Sequence, residues 1–394
     1  MELAKIWFWL SLLMILYPII IYPSLVCLLG LIWPRPVKHG SWLPSVTVLI
    51  PAHNEAQNIA ATIRNKLEQD YPKDRLEIIV ISDCSTDLTE DIVREFHSQK
   101  VRLIRREQRG GKAAALNEGV RHARGKILVF SDANSLFSPD AISRMTENFA
   151  DPEVGYVTGK LTYKMQSVET AGSGCSGYMK YENALRTLET RVGSIIGVNG
   201  GVDAIRRELY QNVPKQLITD FVLPLHVIST KHRVAYDDRA HSSEVANSEL
   251  GSEFRMRVRV ALRALQGITY MRKLCNPFKY PWAAFCLISH KIIRYCGFFF
   301  LTIVFVTNLV LLSNPSYAAL FITQVIAYML AILGWRKGLP KLARKLTFIP
   351  SYFLLTNAAF AVAAIKFLQG KTMATWQPRG GAQVQAGPQP ARIQ

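Results

Sequence analysis

Residues 126–135 read KILVFSDANS: an apolar run over 127–130 gives way at once to Ser131, Asp132, Ala133 and Asn134. Such a run reads as a buried strand that delivers an acid to the carboxyl edge of a parallel sheet, where open α/β sheets bind ligands. In an extended segment Asp132 and Asn134 point the same way, so both oxygens can reach one hard cation. The alternative is an Asx-type turn that closes a strand and binds nothing. Other acids weigh on that choice. His53, Asn54 and Glu55 follow the run SVTVLIP at 45–51, and Asp83 follows LEIIVIS at 76–82. Glu55, Asp83 and Asp132 are therefore predicted to gather on one rim, as a ligand or metal site. Further along, Gly197, Gly200 and Gly201 permit a close backbone approach to a ligand, or simply a turn. Asp220 heads the apolar stretch QLITDFVLPL, as a reactive acid or as one that favours a helix N-terminus.

These residues need elements to position them. Over residues 45–238 short β-rich runs (45–51, 76–82, 101–105, 127–130 and 154–158) alternate with helical patterns at 56–69, 88–96, 112–123, 139–149 and 174–192. Alternation of this kind predicts a Rossmann-like α/β fold: a mixed, mainly parallel sheet with helices on both faces. The flanks are different. Residues 6–33 carry no charge and are long enough to cross a bilayer, with Arg35, Lys38 and His39 behind them. Residues 252–273 form an arginine-studded amphipathic pattern containing Arg255, Arg257, Arg259 and Arg263, read as lying on a membrane surface or as a solvated helix. Residues 280–295 are apolar but interrupted by His290, Lys291 and Arg294; 296–312, 317–335 and 348–368 read as membrane helices. The predicted division is an anchor (1–40), a cytosolic catalytic domain (41–250), interface helices (251–295), membrane helices (296–369) and a flexible tail (370–394). One span before the domain and three after it would leave the tail outside.

The chain has 394 residues, and its formal net charge of +18 favours anionic partners such as acidic lipids or phosphorylated ligands. Nucleic acid is excluded as a partner, because the basic helix lacks the interleaved aromatics that single-strand binders use. Six scattered cysteines without metal spacing read as reduced thiols. An acidic rim on an α/β domain clamped between membrane helices suits a ligand with both phosphate and a bulky partner, and a nucleotide sugar fits. Mg2+ or Mn2+ on Asp132, helped by Asn134, would neutralise a diphosphate leaving group. Glu55 and Asp83 would hold base and ribose, Lys112 would contact phosphate, and Asp220 would act as general base.

The ordered set VTVLIPAHNEAQNI, VISDCSTDLT, RGGKAAALNEG, VFSDANS and ITDF resembles the family 2 glycosyltransferases. It is most similar to the membrane-integrated branch that includes cellulose, hyaluronan and poly-N-acetylglucosamine synthases. The resemblance implies a GT-A-type fold, a divalent metal, and inverting transfer from a UDP-sugar to a growing β-linked polysaccharide, with translocation across the membrane as an option. It implies a plasma (inner) membrane protein with a cytoplasmic catalytic domain, and membrane or periplasmic export partners. Transfer of one sugar to a lipid acceptor, and a non-catalytic scaffold, are the alternatives. By position, Pro51, Asn54 and Glu55 match the nucleotide-binding start. Asp83 matches the second-strand acid, Lys112 and Asn117 the G-K-x-x-A-L-N segment, Asp132 the first acid of D-x-D, and Asp220 the presumed base of T-E-D. Two departures stand out: Asn134 replaces the second acid of D-x-D, and Q-x-x-R-W is absent. Arg257 or Arg259 would stand in for its arginine, without the tryptophan that follows, which puts processivity in doubt. Trp376, in GKTMATWQPR, resembles part of a tail motif of related synthases.

Overall fold

The computed structural model describes residues 1–164, 170–245, 250–336 and 338–372. Trp376 and the rest of the tail motif beyond 372 lie outside the described residues. Eight strands form one sheet: β1 (Val46–Ala52), β2 (Leu76–Asp83), β3 (Val101–Arg106), β4 (Ile127–Ser131), β5 (Leu136–Phe137), β6 (Val154–Lys164), β7 (Val202–Arg206) and β8 (Arg233–Val245), in the order β3-β2-β1-β4-β7-β6-β8-β5. β1 is parallel to both β2 and β4, and β2 to β3. Every residue of β1 and β4 is buried, so these strands read as unbroken apolar runs. β7 then inserts antiparallel between β4 and β6, while β6 and β8 run parallel. One hydrophobic cluster fills each face. Val48, Ile50, Ile78 and Val80 point to one side, and Leu49, Ile79, Ile81, Leu128 and Phe130 to the other. This is the alternation that a pleated strand imposes.

Helices Ile59–Leu67, Thr89–Arg94 and Ala141–Glu147 lie within the predicted limits, and Gly111–His122 begins one residue before them. β5, β7 and β8 were not anticipated. β8 reads RVAYDDRAHSSEV, too polar for a buried run.

Outside the sheet, Glu2–Ile32 is one continuous apolar helix with a π-helical turn at Tyr17–Ile21, where Pro18 removes a backbone donor. Pro315–Leu333 and Leu342–Leu368 are also long and apolar enough to cross a bilayer, and Pro281–Tyr295 joins Gly297–Val310 at a 55° bend that could make a fourth span. The arginine-rich helix Leu250–Tyr270 was expected to lay its apolar face on lipid. Instead Val258, Ala261 and Leu262 pack against Ala359, Phe360 and Ala363 of the last helix. The Gln266 amide donates to the Lys371 carbonyl at 3.2 Å, so the end of the last helix returns to the helix that follows the sheet domain.

Candidate active site

Lys112 is the centre of the site. It opens helix Gly111–His122, directly after the β3 loop, and its side chain crosses to the switch between β4 and β7. Its ammonium lies 2.7 Å from Asp132 and 3.2 Å from Asp220, and donates to the Gly200 carbonyl at 2.8 Å. Three separated stretches are thus tied to one cation. Burial opposes the charge on Lys112, but Asp132 and Asp220 outweigh it and hold the ammonium above its usual range. Asp220 sits in the first turn of helix Thr219–Ser229, and the Thr219 hydroxyl donates to it at 3.0 Å. Burial pushes its carboxyl up, Lys112 pulls it back, and Asp132 pushes it up again. A raised carboxyl is a better proton acceptor once ionised.

Gly200 explains itself here. Its φ is +85°, and a Cβ on it would stand 2.2 Å from the Asp220 carboxylate. Only glycine permits both that backbone and that approach. A Cβ on Gly201 would meet Glu244 at 2.6 Å.

Asp132, Ala133 and Asn134 do not continue the strand. The Ser135 amide closes a turn on the Asp132 carbonyl at 3.2 Å, so the extended geometry expected for this triplet is corrected to a turn. Asp132 and Asn134 nevertheless line one cavity of about 300 Å³ with Glu55, Lys112, Asp220 and Glu244. Glu55 is buried, and burial first, then Asp132, Asp87 and Glu244, raise its carboxyl to about 7, against an opposing hydrogen bond from Asn58. Below the cavity lies Asp203, fully buried on β7, and neither of its oxygens finds an aligned partner among the described residues. Burial and the neighbouring Asp220 raise it to about 7. Sequence reasoning missed Asp203 as a member of the site, and Glu244 entirely; Asp203 sits on the short antiparallel β7 and Glu244 on the polar β8.

The remaining predicted residues lie around this core. Asp83 receives the backbone N–H groups of Gly110 and Gly111, at 3.0 and 2.6 Å, and the Arg106 guanidinium. It therefore orders the loop that presents Lys112. Asn54, at φ 55°, accepts from the Thr86 amide at 2.8 Å. Pro51 is buried within β1, opposite Ile81. Asn117 is not among the cavity-lining residues. Its amide donates to the Val213 carbonyl at 2.9 Å and accepts from Tyr210 at 2.8 Å and from the Val213 amide at 3.0 Å, so it fastens the 210–213 loop. Of the two candidate arginines Arg259 lines the cavity, whereas Arg257 pairs with Glu253 at 2.7 Å and bonds Tyr352.

The donor set is oxygen-only, as Mg2+ or Mn2+ prefers. Among the described residues no three His, Cys, Asp or Glu side chains form a ready metal cage.

Comparison with known proteins agrees with this geometry. Residues 47–211 match the model of glycosyl transferase family 2. The probable glycosyltransferase YdaM of Bacillus subtilis is 30% identical over 223 residues, 52% of this chain and 50% of that protein. The poly-beta-1,6-N-acetyl-D-glucosamine synthase of Staphylococcus epidermidis is 26% identical over 224 residues, 55% of this chain and 53% of its own length. The chain thus spans about half the length of these relatives. Among solved structures, the mannosyltransferase PcManGT of Pyrobaculum calidifontis, in complex with GDP-Man and Mn2+, superposes with a TM-score of 0.73 at 23% identity, over 93% of this chain and 99% of that one. The sheet has the mixed, mainly parallel arrangement of the GT-A glycosyltransferases.

Proposed function

We propose that the protein is a membrane-bound inverting glycosyltransferase that takes its sugar from a nucleoside diphosphate donor. The observation that carries this reading is the shared ammonium of Lys112, which holds Asp132 and Asp220 in one cavity. Asp220 accepts the proton of an acceptor hydroxyl as its oxygen attacks the anomeric carbon. The bond from that carbon to the diphosphate breaks, and the nucleoside diphosphate leaves with the electron pair. Lys112 stabilises the departing charge. Asp132 and Asn134 would hold a divalent cation, which supplies Lewis-acid neutralisation of the diphosphate when bound. The resemblance favours a UDP-sugar; the GDP-Man bound by PcManGT keeps GDP-sugars in consideration.

The polysaccharide synthases among the relatives support a β-linked polymer as product. Transfer of one sugar to a lipid carrier is the second reading, favoured by Val258, which follows Arg257 where polymerising members place a tryptophan. Purified protein supplied with a panel of UDP- and GDP-sugars and Mg2+ or Mn2+ is expected to release nucleotide from one donor, with inversion visible in the product's anomeric proton. No release from any donor removes the enzymatic reading. Long lipid-free product indicates a polymerase, and short solvent-extractable product indicates lipid transfer.

The proposed location is the plasma membrane with the sheet domain in the cytoplasm, supported by Arg35 and Lys38 directly behind the first apolar helix. The Gln266–Lys371 bond supports an exit of the last helix on the same side as the domain, unlike the outside exit of the span count. A cysteine at Lys371→Cys should resist an impermeant thiol reagent in intact cells; labelling there would reverse the orientation.

A further inference from the structure

The cavity also has a basic lining. Besides the acids it is lined by Arg186 of helix Thr170–Val192, Arg263 of helix Leu250–Tyr270, on which Asp220 acts through space, and Lys291 of the bent apolar pair. Arg186 is 7% exposed and donates to the Gly197 carbonyl at 3.1 Å. Lys291 converges on the same glycine, since a Cβ there would lie 3.0 Å from its ammonium. Arg263 donates to the Leu217 carbonyl at 2.7 Å, but its buried Nε–H has no partner among the described residues.

The neighbouring acids do not cancel these charges. Glu182 also lines the cavity, yet it is taken by Arg294 at 2.5 Å and His290 at 3.4 Å. Glu189 lies behind, bonded to His290 at 2.9 Å and to the Tyr22 hydroxyl at 2.6 Å. Lys291 itself makes no hydrogen bond or ion pair with a described residue; Glu182 and Glu189 act on it through space. A cation without a direct partner on an apolar segment marks a ligand site by default. Basic pockets between membrane helices suit lipid phosphates.

We propose that this basic lining binds the phosphoryl group of a membrane lipid, with Lys291, Arg186 and the Arg263 Nε–H as its donors. The bound lipid places its head group, as acceptor, in the cavity that Asp220 also lines. The inference rests on the glycosyltransferase reading for the acceptor's role, but not for the binding itself.

The test is native mass spectrometry of the full-length protein in detergent, titrated with a polyprenyl monophosphate, the matching polyprenol, and inorganic phosphate. The lipid phosphate should bind, the alcohol should not, and inorganic phosphate should bind far more weakly. Lys291→Gln should weaken lipid-phosphate binding about tenfold or more, Lys291→Arg should retain it, and nucleotide binding should be unchanged in both. Thermal melts of both variants exclude unfolding as the cause. Equal binding of the alcohol, equal binding of inorganic phosphate, or full lipid binding by Lys291→Gln would overturn the proposal. So would a loss confined to nucleotide, which would assign Lys291 to the donor. Lipid binding without nucleotide release from any donor would keep this inference and remove the function proposed above.

Discussion

Two sets of residues lining one cavity use charge in opposite ways. In the first, Glu55, Asp132, Asp220 and Glu244 outnumber their cation, Lys112, with Asp203 buried beneath. Among the other lining residues the cations Arg186, Arg259, Arg263 and Lys291 outnumber the acid Glu182. An acidic set can recruit a metal and its diphosphate, and a basic set can recruit a bare anion. On the readings proposed above, such a lining would suit two charged partners, and several variants break or sharpen that contrast.

The largest effect should come from Lys112→Met. It leaves partly buried carboxylates without a counter-charge, and breaking such a pair is expected to destabilise by about 3–5 kcal/mol. Thermal or denaturant unfolding measures this; wild-type stability would mean that Asp132 and Asp220 are not held by Lys112. Next is Gly200→Ala, where positive φ and the contact with Asp220 both resist a Cβ. Displacing Asp220 by an ångström should lower turnover by roughly 10²-fold while the fold survives. Asn134→Asp adds a charged ligand, so half-maximal activity should need roughly tenfold less Mn2+. An unchanged metal requirement would place the cation elsewhere.

The smallest effect concerns pH. Asp203 is raised to about 7 in the folded chain, so between the ordinary carboxylate range and about 7 the native state binds the extra proton. Stability should therefore decline as pH rises through that window, and the penalty is fully present above it. Asp203→Asn removes the penalty. Its melting temperature should exceed wild type by roughly a few degrees at pH 8, with no gain at pH 4.

The same contrast runs through what was legible in the sequence. β1, β2 and β4 are buried on both faces, so composition alone revealed them, and with them the acids at their ends. Antiparallel β7 and the polar β8 carry no such signal. Asp203 and Glu244 were therefore missed, although they complete the acidic set. Lys291 was visible only as an interruption in an apolar run, because its meaning depends on Arg186, which is distant in sequence. Asn117 erred the other way. A motif match gave it to the nucleotide, whereas its amide holds Val213 and Tyr210.

The central claim is that Asp220 is the reacting base. The most direct measurement is turnover of the active donor by Asp220→Asn beside wild type, with nucleotide affinity recorded on the same samples. The account predicts turnover lower by about 10²–10⁴-fold with nucleotide affinity kept. Turnover equal to wild type would contradict it.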